Sequence, residues 1–168
     1  MTEVRTARLQ LHAIEVAEGQ RIVARMGGPG DSWAPDFPFE GDIGAVGGFL
    51  RATAASGDQR PFGYYLISRL ADGQAVGGIG FKGRPDGGCV EIGYGLAPSA
   101  RGQGYAVEAA VALLALAAEH GVSKVIADTA LDNIASQRTL VRAGFRLVGS
   151  DDQLRYYEAL LDLGSPAT

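Results

Sequence analysis

Alternating and helix-spaced apolar side chains divide this chain into strands and helices. Strands show apolar residues at every second position, and helices show them at every third or fourth position. By these periods the predicted strands are 7–12, 64–70, 76–81, 90–96, 125–131, 145–149 and 154–161, and the predicted helices are 14–25, 43–55, 105–118 and 134–143. Neither a linker nor a repeat interrupts this order, so residues 1–168 are predicted to form a single mixed-sheet α/β domain.

The middle of the chain combines a strand, a glycine turn and an apolar helix. On one face of the strand Glu91 carries the only side chain, because Gly93 and Gly95 follow it at alternate positions. That face therefore offers room for a ligand. After the strand, Gly102 and Gly104 allow a tight turn into the helix. A helix that starts on such a turn has free backbone N–H groups, which favour the binding of phosphate.

Two well-known phosphate-binding turns, the P-loop and the dinucleotide-binding turn, fit this glycine turn poorly. A P-loop requires Gly-Lys-Ser/Thr, which occurs nowhere in the chain. A dinucleotide turn, G-x-G-x-x-G/A, fits at Gly102 and Gly104 but meets Val107 at its third position, while Asp128 lies at a suitable distance for a ribose contact. In that fold the turn follows the first strand, whereas several predicted strands precede it here. A dinucleotide-binding protein is therefore a less favoured alternative.

Two sequence patterns resemble the signatures of one protein family. Arg101, Gly104 and Ala106 match Arg/Gln-x-x-Gly-x-Gly/Ala, and Asn133 begins Asn-x-x-Ser, seven residues and Gly-Phe. In this order, with one strand between them, they resemble the two signatures of the GNAT N-acetyltransferase superfamily. Together with Glu-Ile-Gly-Tyr at 91–94, the second pattern is similar to the branch of ribosomal-protein N-terminal Ala/Ser acetyltransferases and their relatives. The resemblance covers nearly the whole chain.

This resemblance implies a fold, a co-substrate and a set of contacts. The implied fold is an α/β (α+β) domain with a mixed, mostly antiparallel central sheet of about seven strands flanked by four helices. The implied co-substrate is acetyl-coenzyme A, with its pyrophosphate on the glycine turn, its pantetheine arm beside the central strand, and no metal. The expected cofactor-binding residues are Leu96 through its backbone, Arg101, Gly102, Gln103, Gly104, Tyr105, Ala106, Val107 and Asn133.

Moving an acetyl group from a thioester to an amine requires a neutral amine, a stabilised oxyanion and a proton for the leaving thiolate. Glu91 is the predicted base, directly or through water, and a strand-end ion pair is its alternative role. A backbone N–H near Tyr94 is expected to polarise the thioester carbonyl. Many superfamily members carry a tyrosine where this chain has Leu140, so the catalytic role at the sulfur is assigned to Ser136, with Tyr94 or Tyr105 as alternatives.

The acceptor is predicted to be a primary amine. An α-amino group has a pKa near 7.7–8.0 and a lysine near 10.4, so far more of an α-amine is neutral at pH 7. With one modest base available, a peptide or protein N-terminus or a small-molecule amine of low pKa is favoured. The loop at 31–42 holds four carboxylates and no basic residue, which suits a cationic acceptor, although it is also typical of a solvated loop. Trp33, Glu91 and Tyr94 are the predicted substrate-binding residues.

Composition narrows the possible partners. A net charge of −4 and a pI near 5.1 provide no basic surface for nucleic acid. A single cysteine, Cys89, excludes an intrachain disulfide, and the two histidines lie too far apart in sequence to favour a metal site. Without a signal peptide or a long apolar segment, the protein is predicted to be cytoplasmic and not to bind a membrane. The helix at 105–118 has almost no polar face, and a homodimer is one way to cover it.

The predicted function is therefore direct acetyl transfer from acetyl-coenzyme A to an amine in a ternary complex. A non-catalytic acyl-coenzyme A sensor would retain the same turn and is the main alternative. Thioesterase-type hydrolysis is less favoured, because the chain has no Gly-x-Ser-x-Gly nucleophile pattern.

Overall fold

The computed structural model describes residues 3–164, which form an eight-stranded sheet with four α-helices. The strands are β1 (Glu3–Arg5), β2 (Leu9–Ala13), β3 (Tyr64–Arg69), β4 (Ala75–Phe81), β5 (Cys89–Leu96), β6 (Lys124–Ala130), β7 (Arg146–Ser150) and β8 (Leu154–Leu160). The helices are α1 (Val16–Ala24), α2 (Glu40–Ser56), α3 (Tyr105–Glu119) and α4 (Ile134–Arg142). A 3₁₀ turn at Pro98–Ala100 connects β5 to the loop before α3.

The sheet is mixed and mostly antiparallel, as predicted. Its strands lie in the order β1-β2-β3-β4-β5-β6-β8-β7. Only β5 and β6 run parallel among these neighbours. A parallel pair needs a long crossover connection, and α3 forms it. The predicted fold class, with four flanking helices, is confirmed.

The structure adds one strand and lengthens one helix relative to the prediction, and the ends of other elements shift by one or two residues. Strand β1 was not expected, because three residues with a single half-buried side chain give no clear alternation. Helix α2 begins at Glu40 rather than at residue 43. The backbone N–H of Phe39 donates to the Asp42 carboxylate (3.0 Å), and this capping interaction extends the helix toward its N-terminus. The loop predicted over 31–42 therefore ends at Phe39.

Helices α2 and α4 lie on opposite faces of the sheet. Gly95 in β5 faces the Phe39 ring at the start of α2, whereas the neighbouring Tyr94 contacts Ser136 in α4. Successive side chains on a strand point to opposite faces, so these two contacts define the two layers. Helix α1 packs on α2, and α3 packs on α4.

Helix α3 is largely covered by the sheet and by α4. Its buried residues are Tyr105, Ala109, Ala110, Leu113, Leu116 and Ala117. Val111 remains 48% exposed on its outer side. The chain's own elements thus cover most of this apolar helix, and a homodimer stays a prediction. Within residues 3–164, no helix is both long and apolar enough to cross a membrane.

Strands β5 and β6 separate along their length. Their ladder pairs only Cys89–Glu91 with Lys124–Ile126, whereas β5 continues beside β4 as far as Leu96. Beyond Glu91, the edge of β5 that faces β6 has no strand partner among residues 3–164. We call this gap the β5–β6 opening. It offers unpaired backbone groups to an extended ligand, as the edge of a sheet does.

Candidate active site

The turn before α3 presents a row of free backbone N–H groups. Gly102 (φ +77°) and Gly104 (φ +79°) both adopt the left-handed conformation that favours glycine. Within the described part of the chain, the amides of residues 102–107 donate to no backbone acceptor, and no side chain caps the helix. Residues 101–104 are exposed. These unpaired amides at a helix N-terminus form a site suited to phosphate.

Arg8 is a functional candidate that the sequence analysis missed. Its Nη1 donates to the carbonyl of Gln103 in the turn (2.8 Å), and its guanidinium lies 4.6 Å from the centre of the Tyr105 ring. Its Nε donates to the Glu108 carboxylate (2.9 Å). Arg8 therefore holds the turn in place and adds a positive charge beside it. No local pattern indicated this role, because Arg8 lies nearly a hundred residues away in the β1–β2 connection.

Arg101 connects the turn to β5. Its Nε donates to the carbonyl of Leu96 (3.0 Å), and its guanidinium lies 5.4 Å from the centre of the Phe39 ring. The last residue of β5 and the first residue of the turn are thereby held together. The predicted contact residues Leu96, Arg101, Gly104 and Tyr105 thus lie next to one another at the β5–β6 opening.

Tyr94 and Ser136 meet across that opening. Their hydroxyl oxygens are 2.7 Å apart, and the Tyr94 hydroxyl also donates to the backbone carbonyl of Ser136 (3.1 Å). Asn133 caps α4, since its side-chain oxygen accepts the Ser136 N–H (3.1 Å). Burial is the main cause that raises the pKa of Tyr94 above its ordinary value, so its hydroxyl stays protonated. Leu140 is fully buried in the core.

Glu91 forms an ion pair. Its Oε2 lies 2.6 Å from Lys82 Nζ, and 31% of its side chain is exposed. The stem of Lys82 runs along the bare face of β5, where a Cβ on Gly93 would lie 3.1 Å from Lys82 Cε. The strand-end ion pair that we gave as the alternative role for Glu91 is therefore present. Glu91 cannot act as the base while it is paired with Lys82, but it can do so when this ion pair opens.

A large cavity lies between α2 and the bare face of β5. Its volume is about 610 Å³. We call it the α2 cavity and define it by its lining residues: Phe39, Gly41, Asp42, Gly44, Ala45, Gly48, Phe49, Ala52, Tyr64, Gly78, Gly80, Phe81, Lys82, Gly83, Gly93, Tyr94 and Gly95. Open space borders Gly44 and Gly48 of α2, where an added Cβ would meet nothing closer than 3.8 Å, whereas the lining glycines of β4 and β5 are covered by Tyr64, Phe39 and Lys82. The cavity contacts the same segment of β5 that borders the β5–β6 opening.

Asp42 is the one acidic side chain that lines the α2 cavity. It is only 2% exposed, and among residues 3–164 it forms no ion pair. The Tyr64 hydroxyl donates to its Oδ1 (3.2 Å), and the N–H of Phe39 donates to its Oδ2. Burial raises the pKa of Asp42 to about 6, against hydrogen bonds that lower it. Sequence reasoning counted Asp42 only as one of four loop carboxylates.

The other three carboxylates of that loop are held by the chain itself. They contact a guanidinium or a serine: Asp31 with Arg21, Asp36 with Ser99, and Glu40 with Arg25. None of the three lines the α2 cavity. Within residues 3–164, no three His, Cys, Asp or Glu side chains gather where they could hold a metal ion.

Trp33 lies away from the α2 cavity. It lines a separate cavity of about 450 Å³ on the outer side of the loop before α2. Its ring packs edge-on against Phe37, with the ring centres 5.5 Å apart. Phe39 lines both cavities. Of the predicted substrate-binding residues, the structure thus brings the Glu91 ion pair to the bare face of β5, directs the Tyr94 side chain to the opposite face toward Ser136, and leaves Trp33 apart.

Comparisons with known proteins identify the family and the fold of this chain. A sequence model described as Acetyltransferase (GNAT) domain matches residues 8–146. The uncharacterized N-acetyltransferase YjdG of Bacillus subtilis (strain 168) is 30% identical over 156 residues, which are 88% of this chain and 91% of that protein. The crystal structure of an acetyltransferase from Agrobacterium tumefaciens strain C58 superimposes with a TM-score of 0.68 at 25% identity, covering 96% of this chain and 95% of the other.

A ribosomal-protein acetyltransferase has the same fold. The structure of RimL, a ribosomal L7/L12 α-N-protein acetyltransferase in complex with coenzyme A, superimposes with a TM-score of 0.70. It covers 97% of this chain and 100% of RimL, at 20% identity. At this identity the likeness concerns the fold and leaves the acceptor open.

Proposed function

Because this chain belongs to the acetyltransferase (GNAT) family, we propose that it transfers the acetyl group of acetyl-coenzyme A directly to a primary amine in a ternary complex. The observation that carries the proposal is the row of unpaired amides at 102–107 beside the β5–β6 opening. The pyrophosphate of acetyl-coenzyme A requires free amides, and its extended pantetheine arm requires an unpaired strand edge beside them. The α2 cavity on the other side of β5 leaves room for a second substrate at the same time.

The residues around the opening fit acetyl-coenzyme A. The amides of 102–107 would bind the pyrophosphate, and the charge of Arg8 would support it. The unpaired edge of β5, up to Leu96, would bond the pantetheine amides as an added strand. Asn133, at the start of α4 and next to Ser136, would also contact the co-substrate. When bound, the co-substrate supplies an activated acetyl group as a thioester.

The hydroxyl pair of Ser136 and Tyr94 would act at the sulfur. A backbone N–H between Tyr94 and Leu96 would stabilise the developing oxyanion, because the opening leaves it without a strand partner. The leaving thiolate would then be stabilised by the Ser136 hydroxyl. Tyr94, hydrogen-bonded to Ser136, can pass its proton along this contact and recover one from solvent. Because burial raises the pKa of Tyr94, its hydroxyl stays protonated throughout the neutral range and would release the proton only as the thiolate forms.

Glu91 remains our proposal for the base that receives the amine proton through water. Its pair with Lys82 must open, or a water molecule must share the carboxylate, for this to happen. A primary amine fits the family, and both a peptide N-terminus and a small-molecule amine remain acceptors within the proposal. The cytoplasmic location and the single domain over 1–168 are part of the same proposal.

An assay of thiol release against acetylated amine tests this function. The purified protein is incubated with acetyl-coenzyme A alone and with a panel of amines, and free thiol and acetylated product are measured in parallel. A transferase releases one thiol for each acetylated amine and releases thiol only when the amine is present. Thiol release without amine would indicate a hydrolase. Calorimetric binding of acetyl-coenzyme A without any release would indicate a sensor.

A further inference from the structure

The α2 cavity combines an apolar wall with a single buried carboxylate. Its side-chain carbon surface comes mainly from the rings of Phe39, Phe49, Phe81 and Tyr64 and from small aliphatic residues. A volume of about 610 Å³ falls within the usual range of small-molecule sites. Such a cavity selects ligands by shape and apolar area, with few polar groups to fix their orientation.

The carboxylate of Asp42 has no cation of its own. Lys82, the one cationic residue that lines the cavity, is paired with Glu91 at 2.6 Å. Arg101 influences Asp42 only through long-range electrostatic attraction, because its guanidinium group contacts Leu96 and the Phe39 ring instead. A buried carboxylate without a partner is unfavourable unless a ligand supplies the charge.

Asp42 also retains capacity for a further hydrogen bond. A carboxylate can accept about four hydrogen bonds, and the described contacts use one from Tyr64 and one from Phe39. The Tyr64 hydroxyl can occupy this position only because residue 78 is glycine, since a Cβ there would lie 1.7 Å from its oxygen. The carboxylate is thus held from two sides and keeps unused lone pairs at the wall of the cavity.

A peptide or a polyamine fits this lining poorly. The backbone of β4, behind the cavity, is paired with β3 and β5 on both sides, so it has no free groups for a peptide. Buried peptide amides would therefore lose hydrogen bonds to water without replacement. A polyamine would place further ammonium groups against aromatic walls with no second acidic side chain in the lining.

We propose that the acceptor is a small primary monoamine with an apolar aryl or alkyl body, whose ammonium group pairs with Asp42 while its body fills the α2 cavity. This inference rests on the proposed acetyltransferase function. Bound in this way, the amine lies on the face of β5 opposite the Tyr94–Ser136 pair. In the transfer step the ammonium first gives one proton to water, and the neutral amine nitrogen then bonds the acetyl carbon as the carbon–sulfur bond breaks. A second nitrogen proton leaves through water, and the thiolate takes a proton from the Tyr94–Ser136 pair.

Two glycines of α2 allow the cavity to be filled without a clash. A Cβ on Gly44 would meet no atom within 4 Å, and a Cβ on Gly48 would meet only Arg51 Nη2 at 3.8 Å. Gly44→Leu and Gly48→Leu therefore place a side chain where the amine body would lie. Gly47→Leu is the matched control, because Gly47 is on the same helix but does not line the cavity. All three substitutions raise helix propensity, which favours α2, and circular dichroism of the variants checks that the fold is retained.

The experiment compares 2-phenylethylamine with spermidine and a Ser-initiated hexapeptide as acceptors. We expect kcat/KM for 2-phenylethylamine to exceed the other two by about tenfold or more. Gly44→Leu and Gly48→Leu should each lower kcat/KM for 2-phenylethylamine by about tenfold or more. Gly47→Leu should keep the wild-type kcat/KM, and the variants should keep the wild-type affinity for acetyl-coenzyme A. Asp42→Asn should raise KM by about tenfold.

Two results would overturn the substrate class while leaving acetyl transfer intact. One is a preference for spermidine or for the peptide, and the other is wild-type kcat/KM in both cavity-filling variants. Calorimetric titration with 2-phenylethylamine distinguishes a failure of the proposed acetyl transfer from a failure of the proposed amine site. Binding that depends on Asp42 without any acetylated product would support the amine site and reject the acetyl transfer.

Discussion

At the scale of residues, Asp42 is the most informative side chain. A shift of its pKa from 3.8 to about 6 corresponds to roughly 3 kcal/mol against the ionised form. Because the folded pKa is raised, this carboxyl contributes stability in its protonated form below pH 4, and the contribution is lost as pH rises through about 6. At neutral pH the chain therefore carries an ionised carboxylate that lowers its own stability. Its capping contact at the start of α2 offsets part of this cost, and a bound cation would offset more.

The affinity for 2-phenylethylamine should depend on the charge of Asp42. The groups that face this carboxylate are Tyr64 from β3 and, through its field, Arg101 from the turn, with Lys82 in the same cavity. As pH falls through about 6, Asp42 becomes protonated and the ammonium loses its partner. We expect calorimetric affinity to fall by up to about tenfold per pH unit below that point.

Two variants define this pH dependence. Asp42→Asn should bind the amine more weakly and with no pH dependence between pH 5 and 8. Asp36→Asn is the matched control, because Asp36 lies in the loop just before α2 and bonds Ser99 outside the cavity, and it should follow wild type. A pH profile of Asp42→Asn that parallels wild type would assign the titration to another group.

The hydroxyl pair at the opening gives a second residue-scale prediction. Ser136→Ala and Tyr94→Phe should each lower kcat by about 10-fold to 100-fold, with little dependence on pH and with unchanged affinity for acetyl-coenzyme A. The Ser136 N–H still donates to Asn133 in Ser136→Ala, so α4 keeps its cap. Tyr156→Phe removes a hydroxyl that bonds Asp151 on the surface and serves as the control. Steady-state kinetics with wild-type kcat in both active-site variants would remove the pair from the mechanism.

Some of these residues could be found from sequence and others could not. Asn133 and Ser136 lie in a local pattern at a helix start, so their contact follows from spacing alone. Asp42 owes its burial to the packing of α2 against β3, which local periodicity does not report. Arg8 meets the turn only because β2 runs beside α3 in the folded chain.

At the scale of elements, the turn between β5 and α3 organises the site. Its two left-handed glycines direct the amides outward, and the neighbouring strand separates from β6 at the same end. The helix dipole adds to this positive end. The sequence predicted this turn well, since glycine spacing is a local property. The β5–β6 opening could not be predicted, because strand separation depends on pairing across the sheet.

Gly104→Val tests the turn. At φ +79° a β-branched side chain is strained, and its Cβ would lie 3.4 Å from Arg8 Nη2, so the substitution displaces both the amides and the cation. We expect calorimetry to show affinity for acetyl-coenzyme A weakened by about tenfold or more. Gly121→Val, at φ +81° beyond the other end of α3, imposes the same backbone strain far from the site. Equal affinities for the two variants would mean that strain, and not the phosphate site, causes any loss.

At the scale of the whole molecule, β5 can be reached by ligands from both faces of the sheet. The β5–β6 opening is a gap within the sheet itself, the Tyr94–Ser136 pair lies on the α4 side, and the α2 cavity lies on the other. Periodicity predicted the strands and helices that build these layers. It did not predict the cavity, which depends on how α2, with its open glycines, packs over β4 and β5. A homodimer stays a prediction, since α3 is mostly covered within one chain.

The central claim is that acetyl-coenzyme A and the amine reach β5 from opposite faces, and a crystal structure with coenzyme A and 2-phenylethylamine tests it most directly. Coenzyme A carries no acetyl group, so both ligands can remain bound without reaction. We predict the pyrophosphate on the amides of 102–107, the sulfur within hydrogen-bond distance of Ser136 or Tyr94, and the ammonium on Asp42. A pyrophosphate bound elsewhere, or an amine that contacts the sulfur without entering the α2 cavity, would contradict the account.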